Sequence, residues 1–380
     1  MKPIRIASLL VLAATLLWLC PPAADAQTHG GTGILKIKPC ARATGMGQAG
    51  VALPQRGQSV WWNPALLAQA HSREVSTTVV KLVPDLADDV YYLNLAYSQS
   101  LGDVGGIGFD LMYLSYGKTE AVDEEGTSYG FFSSYEAVPT VAFGTRLIGD
   151  PMAPWGSGGL LGALDIGVAL KFVWVDLAPE WAMSIVGVEK DGQADAWAVD
   201  LGTLVQGTLP FPSLSGDPLP YALGVNVQNL GSKLVYIEAD QGDPLPHNLK
   251  AGLALEFYSS NALRATGVFD FNKALIDYES PEVDIETAPK LGWGAMEQLL
   301  NAGVELSIQE RLHFRVGYVH DPEGEIESLT FGAGLDVAFG RGRMVRFDYS
   351  SVPQALDLDR VSYLTVGVLF DEDSEAGTMP

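Results

Sequence analysis

From Ser328 the chain runs Ser, Leu, Thr, Phe, Gly, Ala, Gly, Leu, Asp, Val, Ala, Phe. Leu329, Phe331, Ala333, Leu335, Val337 and Phe339 share one parity, and Ser328, Thr330, Gly332, Gly334, Asp336 and Ala338 the other. Side chains alternate across a strand, so this order makes a strand with one apolar face and one small or polar face. The dyad returns from about residue 90 to Phe370. Leu164, Ile166, Val168, Leu170, Phe172 and Trp174 oppose Asp165, Gly167, Ala169 and Lys171. Leu249, Ala251, Leu253, Leu255 and Phe257 oppose Asn248, Lys250, Gly252 and Glu256. Leu312, Phe314, Val316 and Tyr318 oppose Arg311, His313, Arg315 and Gly317.

A soluble β-sandwich also alternates, with its apolar face inward. Two features favour an all-β, transmembrane antiparallel β-barrel. The polar faces carry glycine and opposite charges, such as Asp165 with Lys171, Lys250 with Glu256, and Arg346 with Asp348, which suits a filled lumen. The apolar faces carry Tyr91, Tyr97, Tyr113, Trp174, Tyr318 and Tyr349 near strand ends, as interfacial girdles do. Each segment is near the length that crosses a bilayer as a tilted strand.

The pattern predicts strands starting near Val75, Val90, Gly105, Ala137, Leu161, Asp195, Tyr221, Asn248, Arg264, Leu300, Arg311, Ser328, Arg343 and Val361. That is about 14 strands, the even number expected of a bacterial barrel. Gln309-Glu310, Gly340 to Gly342 and Tyr258 to Leu263 read as short turns. Gly117 to Glu136, Asp176 to Ala194, Asn229 to His247 and Lys273 to Gln298 read as long loops. Short periplasmic turns facing long outer loops is the usual asymmetry. Asp150 to Gly159 and Thr208 to Pro220 are longer than that rule favours. The long loops hold Asp123, Glu124, Glu125, Glu180, Asp240, Glu282, Asp284 and Glu286, so acid collects on the outer side.

The start of the chain reads as an export signal. Lys2 and Arg5 precede the apolar run Ile6 to Leu19, and Ala24-Asp25-Ala26 forms a small-residue cleavage site before Gln27. Leu19 is too large for a lipobox at Cys20. The expected domains are thus a signal peptide at 1–26, an N-terminal segment at 27–72, a barrel at 73–370 and an acidic tail at 371–380. The net charge of −23 argues against nucleic acid as a partner. With the leader removed, Cys40 is the one cysteine left, so no internal disulfide forms.

Residues 28–72 do not alternate, and the segment is either a linker or a plug folded into the lumen. It contains Arg42-Ala-Thr-Gly-Met-Gly-Gln-Ala-Gly-Val-Ala and then Trp61-Trp62-Asn63-Pro64-Ala65. Here the chain resembles the PorV/PorQ family of outer-membrane proteins, themselves similar to FadL-type channels. Leu223 to Gly231, Leu245 to Gly252 and Arg315 to His320 extend the resemblance. It implies a barrel of about 14 strands with an N-terminal plug or hatch inside. It also implies a non-enzymatic role in type nine protein secretion, as a cargo-binding shuttle or channel component, or alternatively uptake of hydrophobic small molecules. The expected surroundings are outer-membrane lipids, with translocon proteins, exported cargo or hydrophobic molecules as partners. The chain departs from the family pattern in carrying Asp371 to Pro380 beyond the aromatic Phe370.

On the residues themselves, Asn63 before Pro64 favours a turn. Gly45, Gly47 and Gly50 permit close packing in a narrow lumen. Arg42 is expected to pair with Asp165, Asp200, Asp336 or Glu305, and Arg42, Gly45, Gly47, Trp62, Asn63 and Pro64 form the structural or gating set. Tyr129, Phe131, Phe132 and Tyr135 are the candidate outer-loop binding residues, or else part of the outer girdle. Gly45-x-Gly47-x-x-Gly50 matches a dinucleotide fingerprint as a string but follows no strand of a βαβ unit. The five histidines show no metal spacing, Asp-Pro-Glu-Gly-Glu at 321–325 reads as an acidic turn, and no nucleophile elbow appears. No catalytic residue, metal or cofactor is expected. A lipid-modifying outer-membrane enzyme is the rival of another class.

Overall fold

The computed structural model describes residues 32–370 except 85, 151–157, 186, 189, 237–241, 276–297, 323, 341 and 355–357. The leader and the acidic tail therefore lie outside the described residues, as do most of the Lys273 to Gln298 loop, part of Asp150 to Gly159, and Asp240. No described helix is long and apolar enough to cross a membrane.

Fourteen antiparallel strands close into one barrel. They are β1 (Arg73–Lys81), β2 (Val90–Ser100), β3 (Gly106–Val122), β4 (Ser128–Ile148), β5 (Ala163–Asp176), β6 (Gln193–Pro212) and β7 (Pro218–Gly231). The second half is β8 (Asn248–Ser259), β9 (Leu263–Ala274), β10 (Gln298–Ile308), β11 (Leu312–Asp321), β12 (Ile326–Ala338), β13 (Arg343–Val352) and β14 (Val361–Phe370). Each strand pairs with its sequence neighbours, and β1 closes on β14 from Arg73↔Phe370 to Val80↔Tyr363. Closure gives every strand a partner on both edges, which a lipid environment demands because nothing there satisfies a free backbone group.

The two faces of each strand are sorted as the dyad requires. Leu329, Phe331 and Phe339 are 47–66% exposed, whereas Asp165, Lys171, Asp200 and Thr330 are at most 1% exposed. Apolar side chains thus face lipid and charged ones face the interior. The opposite charges on the polar faces pair between strands. Asp165 takes Arg146 (2.7 Å), Lys171 takes Asp200 (2.7 Å), Glu256 takes Arg264 (3.1 Å), Arg346 takes Asp336, and Asp348 takes Arg315 (2.6 Å). Four of these pairs join adjacent strands, where a charge meets its opposite more readily than two or six residues along its own strand, and Asp348 on β13 reaches past β12 to Arg315 on β11.

Two connections are shorter than the sequence suggests. The stretch Gly117 to Glu136 is an extension of the β3–β4 hairpin, leaving only residues 123–127 as loop. Tyr129, Phe131, Phe132 and Tyr135 accordingly stand on β4 rather than in a loop. A bulge hides this in the sequence. Gly117 has φ +82, the register slips between Ser115 and Lys118, and the alternation changes phase there. Likewise β6 runs to Pro212 and β7 begins at Pro218, so Thr208 to Pro220 closes over a short turn. The long connections 177–192 and 232–247 lie at one end of the barrel. Arg73, Phe370 and the short turns 213–217, 260–262 and 309–311 lie at the other.

Candidate functional site

The interior holds the non-alternating residues that follow Gly31. They form short helical turns at Ile34–Lys36, Ala41–Gly45, Arg56–Gln58, Ser59–Trp62 and Pro64–Gln69. Asn63 sets the last of these. Its extended backbone (φ −168°, ψ 111°) ends the preceding turn, its side chain accepts the Ala65 N–H, and Pro64 opens the next helix, where its missing donor costs nothing. The same amide donates to Val51 O (3.1 Å) and Thr203 O (3.0 Å), tying the turn to itself and to β6.

Arg42 reaches Glu305 on β10, the last of its four expected partners. Its Nε and Nη2 donate to the two carboxylate oxygens at 3.0 and 2.8 Å, and Nη1 donates to Pro54 O at 2.7 Å. Glu305 also accepts from Arg315 (2.6 Å), whose other arm reaches Asp348 (2.6 Å). The four groups alternate in sign along one wall. Burial disfavours the Arg42 charge, but Glu305 beside it holds the guanidinium above its ordinary range. A second set joins Arg346, Asp336, His313 and Ser307 at the same level.

Gly45 and Gly47 rest on glycines of the wall. A Cβ at Gly45 would lie 3.0 Å from Gly332 Cα. One at Gly47, which has φ +72, would lie 2.3 Å from Ala302 O and 2.6 Å from Tyr318 O. Thr330 clasps this turn, accepting the Gly47 N–H (2.8 Å) and donating to Gly45 O (3.0 Å). Trp62 is buried edge-on against Trp61, with ring centroids 4.8 Å apart. Asn226 donates to Trp62 O (3.0 Å) and Gln228 to Trp61 O. Cys40 is buried, and burial pushes its thiol up to about 11.

The sequence reading missed several anchors. Asp270 accepts the Gly50 and Val51 N–H groups (2.6 and 3.0 Å). Glu136 accepts from Thr32, Gly33 N (3.2 Å), Ile34 N (3.1 Å) and Tyr116. Gln69 reaches Asp165 and Gln206 (3.2 and 3.1 Å). For Asp270 and Glu136, on β9 and β4, the only sequence signal is strand parity, which names no partner, and Gln69, on a helical turn, carries not even that.

The interior is divided along its axis. Toward the long-loop end, Val80, Tyr92, Met112, Leu114, Val138, Val173, Val352 and Tyr363 pack with Ile34 and Leu35 into an apolar core. Toward the short-turn end lies an open vestibule of about 670 Å³, bordered by Arg42, Gln69, Glu74, Glu256 and Arg264.

Outside the barrel, Tyr91, Tyr113 and Tyr135 form a row, with centroids 6.2 and 5.7 Å apart on neighbouring strands. Phe132 packs edge-on against Trp181 of the short helix Glu180–Ile185 (6.1 Å). Phe131 and Tyr129 remain 65% and 56% exposed, and the Tyr129 hydroxyl donates to Asp123 (3.0 Å). Among the described residues, no group of three His, Cys, Asp or Glu side chains could hold a metal ion.

The family model for the type IX secretion system protein PorV matches residues 24–150, about a third of the chain. That stretch takes in the whole interior segment and β1 to β4. No curated protein sequence matches the chain. Among solved structures, the fold is similar to the Pseudomonas putida toluene transporter TodX, at 14% identity and a TM-score of 0.50, covering 92% of this chain and 98% of that one. It is also similar to the CymD monoaromatic hydrocarbon channel, at 15% identity and a TM-score of 0.52, covering 88% of this chain and 97% of that one. At these identities the likeness is one of fold.

Proposed function

We propose that this chain is a non-enzymatic outer-membrane barrel of the PorV type that serves protein secretion by receiving exported cargo or translocon components at its long-loop end. The observation that carries the reading is the PorV match over residues 24–150, which spans the interior segment and the aromatic β3–β4 hairpin together. In this reading residues 1–26 direct export and residues 27–72 are a plug, held by Arg42, Asn63 and the glycine contacts. A plugged, apolar outer half leaves the barrel as a rigid scaffold whose exposed aromatics do the binding. Deleting the gene should abolish surface delivery of type nine substrates, and tagged protein should co-purify with translocon components. An unchanged surface proteome, with a barrel that copurifies with none of them, would overturn it.

A second reading is a channel for hydrophobic small molecules, supported by the fold-level likeness to TodX and CymD. It requires the Ile34, Leu35, Tyr92 and Tyr363 core to open. Loss of growth on a hydrophobic substrate after deletion, with secretion intact, would select it.

A further inference from the structure

One small cavity at the long-loop end has a chemistry that neither reading uses. It encloses about 90 Å³ between the interior segment and the loop-side ends of β7 to β10. Lys36, Lys38, His247 and Lys250 line it together with the amides of Gln228, Asn229, Asn248 and Asn272. No acidic residue is among the described lining residues, in a chain with 46 acids and 23 bases. The nearby acids lie on β6 and β9: Asp200 is held by Lys171 and the Asn229 N–H, and Asp270 accepts the Gly50 and Val51 N–H groups on Oδ2, while neither makes a hydrogen bond to Lys250.

Two of the lining groups are buried and unmatched. Lys250 is 2% exposed and His247 is 5% exposed. Neither Lys250 Nζ nor His247 Nε2 has a hydrogen-bond partner among the described residues. The ammonium instead lies 3.4 Å from the centroid of the Trp61 ring. A ring face offsets part of the cost of burying a cation but leaves its N–H donors unused. A buried lysine without an anion is costly, so the pocket is built for one. The volume holds roughly three waters or one flat group of similar size. Leu35, Pro246 and Leu299 form the rest of the wall and suit an apolar attachment.

We propose that this cavity is a carboxylate-binding site, in which Lys250 and His247 hold the carboxylate of a ligand whose adjoining part is apolar. The carboxylate accepts from Lys250 Nζ and, with that nitrogen protonated, from His247 Nε2, and the side-chain amides of Asn248 and Asn272 are placed to complete its shell. A fatty acid and the C-terminus of an apolar peptide present the same chemistry. The site goes beyond the secretion reading, and its failure would leave that reading untouched.

The test titrates full-length barrel, purified in an uncharged detergent, with two matched pairs of probes, followed by calorimetry. One pair is decanoate and methyl decanoate; the other is N-acetyl-Leu-Leu and its C-terminal amide. At least one acid should bind, and at least tenfold more tightly than its neutral partner. Whichever pair shows the difference identifies the source. Lys250→Met and Lys250→Gln should each remove the discrimination, weakening the acid roughly ten- to hundredfold, as for a lost hydrogen bond to a charged group. His247→Gln should weaken it less. Two variants are used so that a folding defect in one does not decide the matter. Equal affinity for acid and neutral partner, no binding of either acid, or discrimination retained in a folded Lys250 variant would each overturn the proposal.

Discussion

Replacing Gly47 by alanine isolates what holds the interior segment to the barrel wall. The new Cβ would meet Ala302 O at 2.3 Å and Tyr318 O at 2.6 Å, inside any real carbon–oxygen contact. Both oxygens belong to β10 and β11, which pair with each other and with strands on their outer sides, so the wall has little freedom to retreat. Overpacking of this kind costs about 1–3 kcal/mol. The φ of +72 adds about 1–2 kcal/mol for a residue with a side chain. The sum, roughly 2–5 kcal/mol, falls on the segment and not on the barrel, because moving the turn away relieves both terms. Gly102 supplies the control. Its φ is +63, but a Cβ there would meet nothing within 4 Å, so Gly102→Ala carries the backbone term alone. Cys40 supplies the assay. In a chain beginning at Gln27 it is the one cysteine, and its thiol, pushed from 9.0 to about 11 by burial, offers about a hundredfold less thiolate than an exposed one. Labelling by a water-soluble maleimide then reports the opened fraction of the segment. Gly47→Ala should raise the labelling rate by at least ~30-fold, the factor for 2 kcal/mol, with heat-modifiable mobility retained. Gly102→Ala should leave it unchanged. Equal rates in the two folded variants would show that the segment is not held by this contact.

Other expectations follow from the same contacts. Arg42→Met leaves Glu305 with Arg315, whereas Arg315→Met leaves Glu305 with Arg42 but takes from buried Asp348 its Arg315 partner. The second should cost about 3–5 kcal/mol in urea unfolding and the first clearly less; equal losses would dissolve the network argument. Phe131→Ser and Tyr129→Ser, on the exposed end of β4, should leave the barrel folded and reduce co-purification of translocon components; undiminished capture in the double variant would assign these side chains to the girdle alone. Burial lowers the pKa of His247, so the neutral ring is the folded form. Packing of His247 against the barrel should be unaffected by pH above about 6.5 and weaken as pH falls below it, since opening then takes up a proton. Lys36, Lys38 and Lys250 line the same cavity. Protection factors, that is exchange rates corrected for the intrinsic base-catalysed rate, should be lower around His247 at pH 5.5 than at 7.5, and His247→Gln should erase that difference in protection.

The architecture was legible because a barrel writes itself into parity. Leu329 faces lipid and Thr330 faces the interior for one reason, the two-residue repeat, and repeating it fourteen times left little else to choose. Where parity is interrupted, legibility fails. The phase change at Gly117 turned twelve paired residues into an apparent loop and moved Tyr129, Phe131, Phe132 and Tyr135 off their strand. The fold of the interior segment was illegible for a related reason. Its turns at Ala41–Gly45 and Ser59–Trp62 are too short to carry a helical period, and tertiary contacts stabilise them.

Pairing is the harder problem, and the lysines show why. Lys171 and Lys250 both stand on inward faces, on β5 and β8, and both are fully buried. Parity treats them alike. Yet Lys171 meets Asp200 at 2.7 Å and Asn229 at 2.8 Å, while Lys250 lies over the rings of Trp61 and Trp62, 3.4 and 5.2 Å from their centroids. The difference comes from what reaches each lysine across the wall. Asp200 sits beside a register slip between Val199 and Leu201, where Asn229 turns to φ +61 and donates its N–H to the carboxylate. That local bend aims the acid at Lys171. No bend on β9 does the same for Lys250, because both N–H groups of Gly50 and Val51 draw Asp270 to the interior segment. A charge that no acid reaches with a hydrogen bond is visible only once the segment is in place. For that reason the pocket at Lys250, unlike the barrel around it, could be read from the structure and not from the chain.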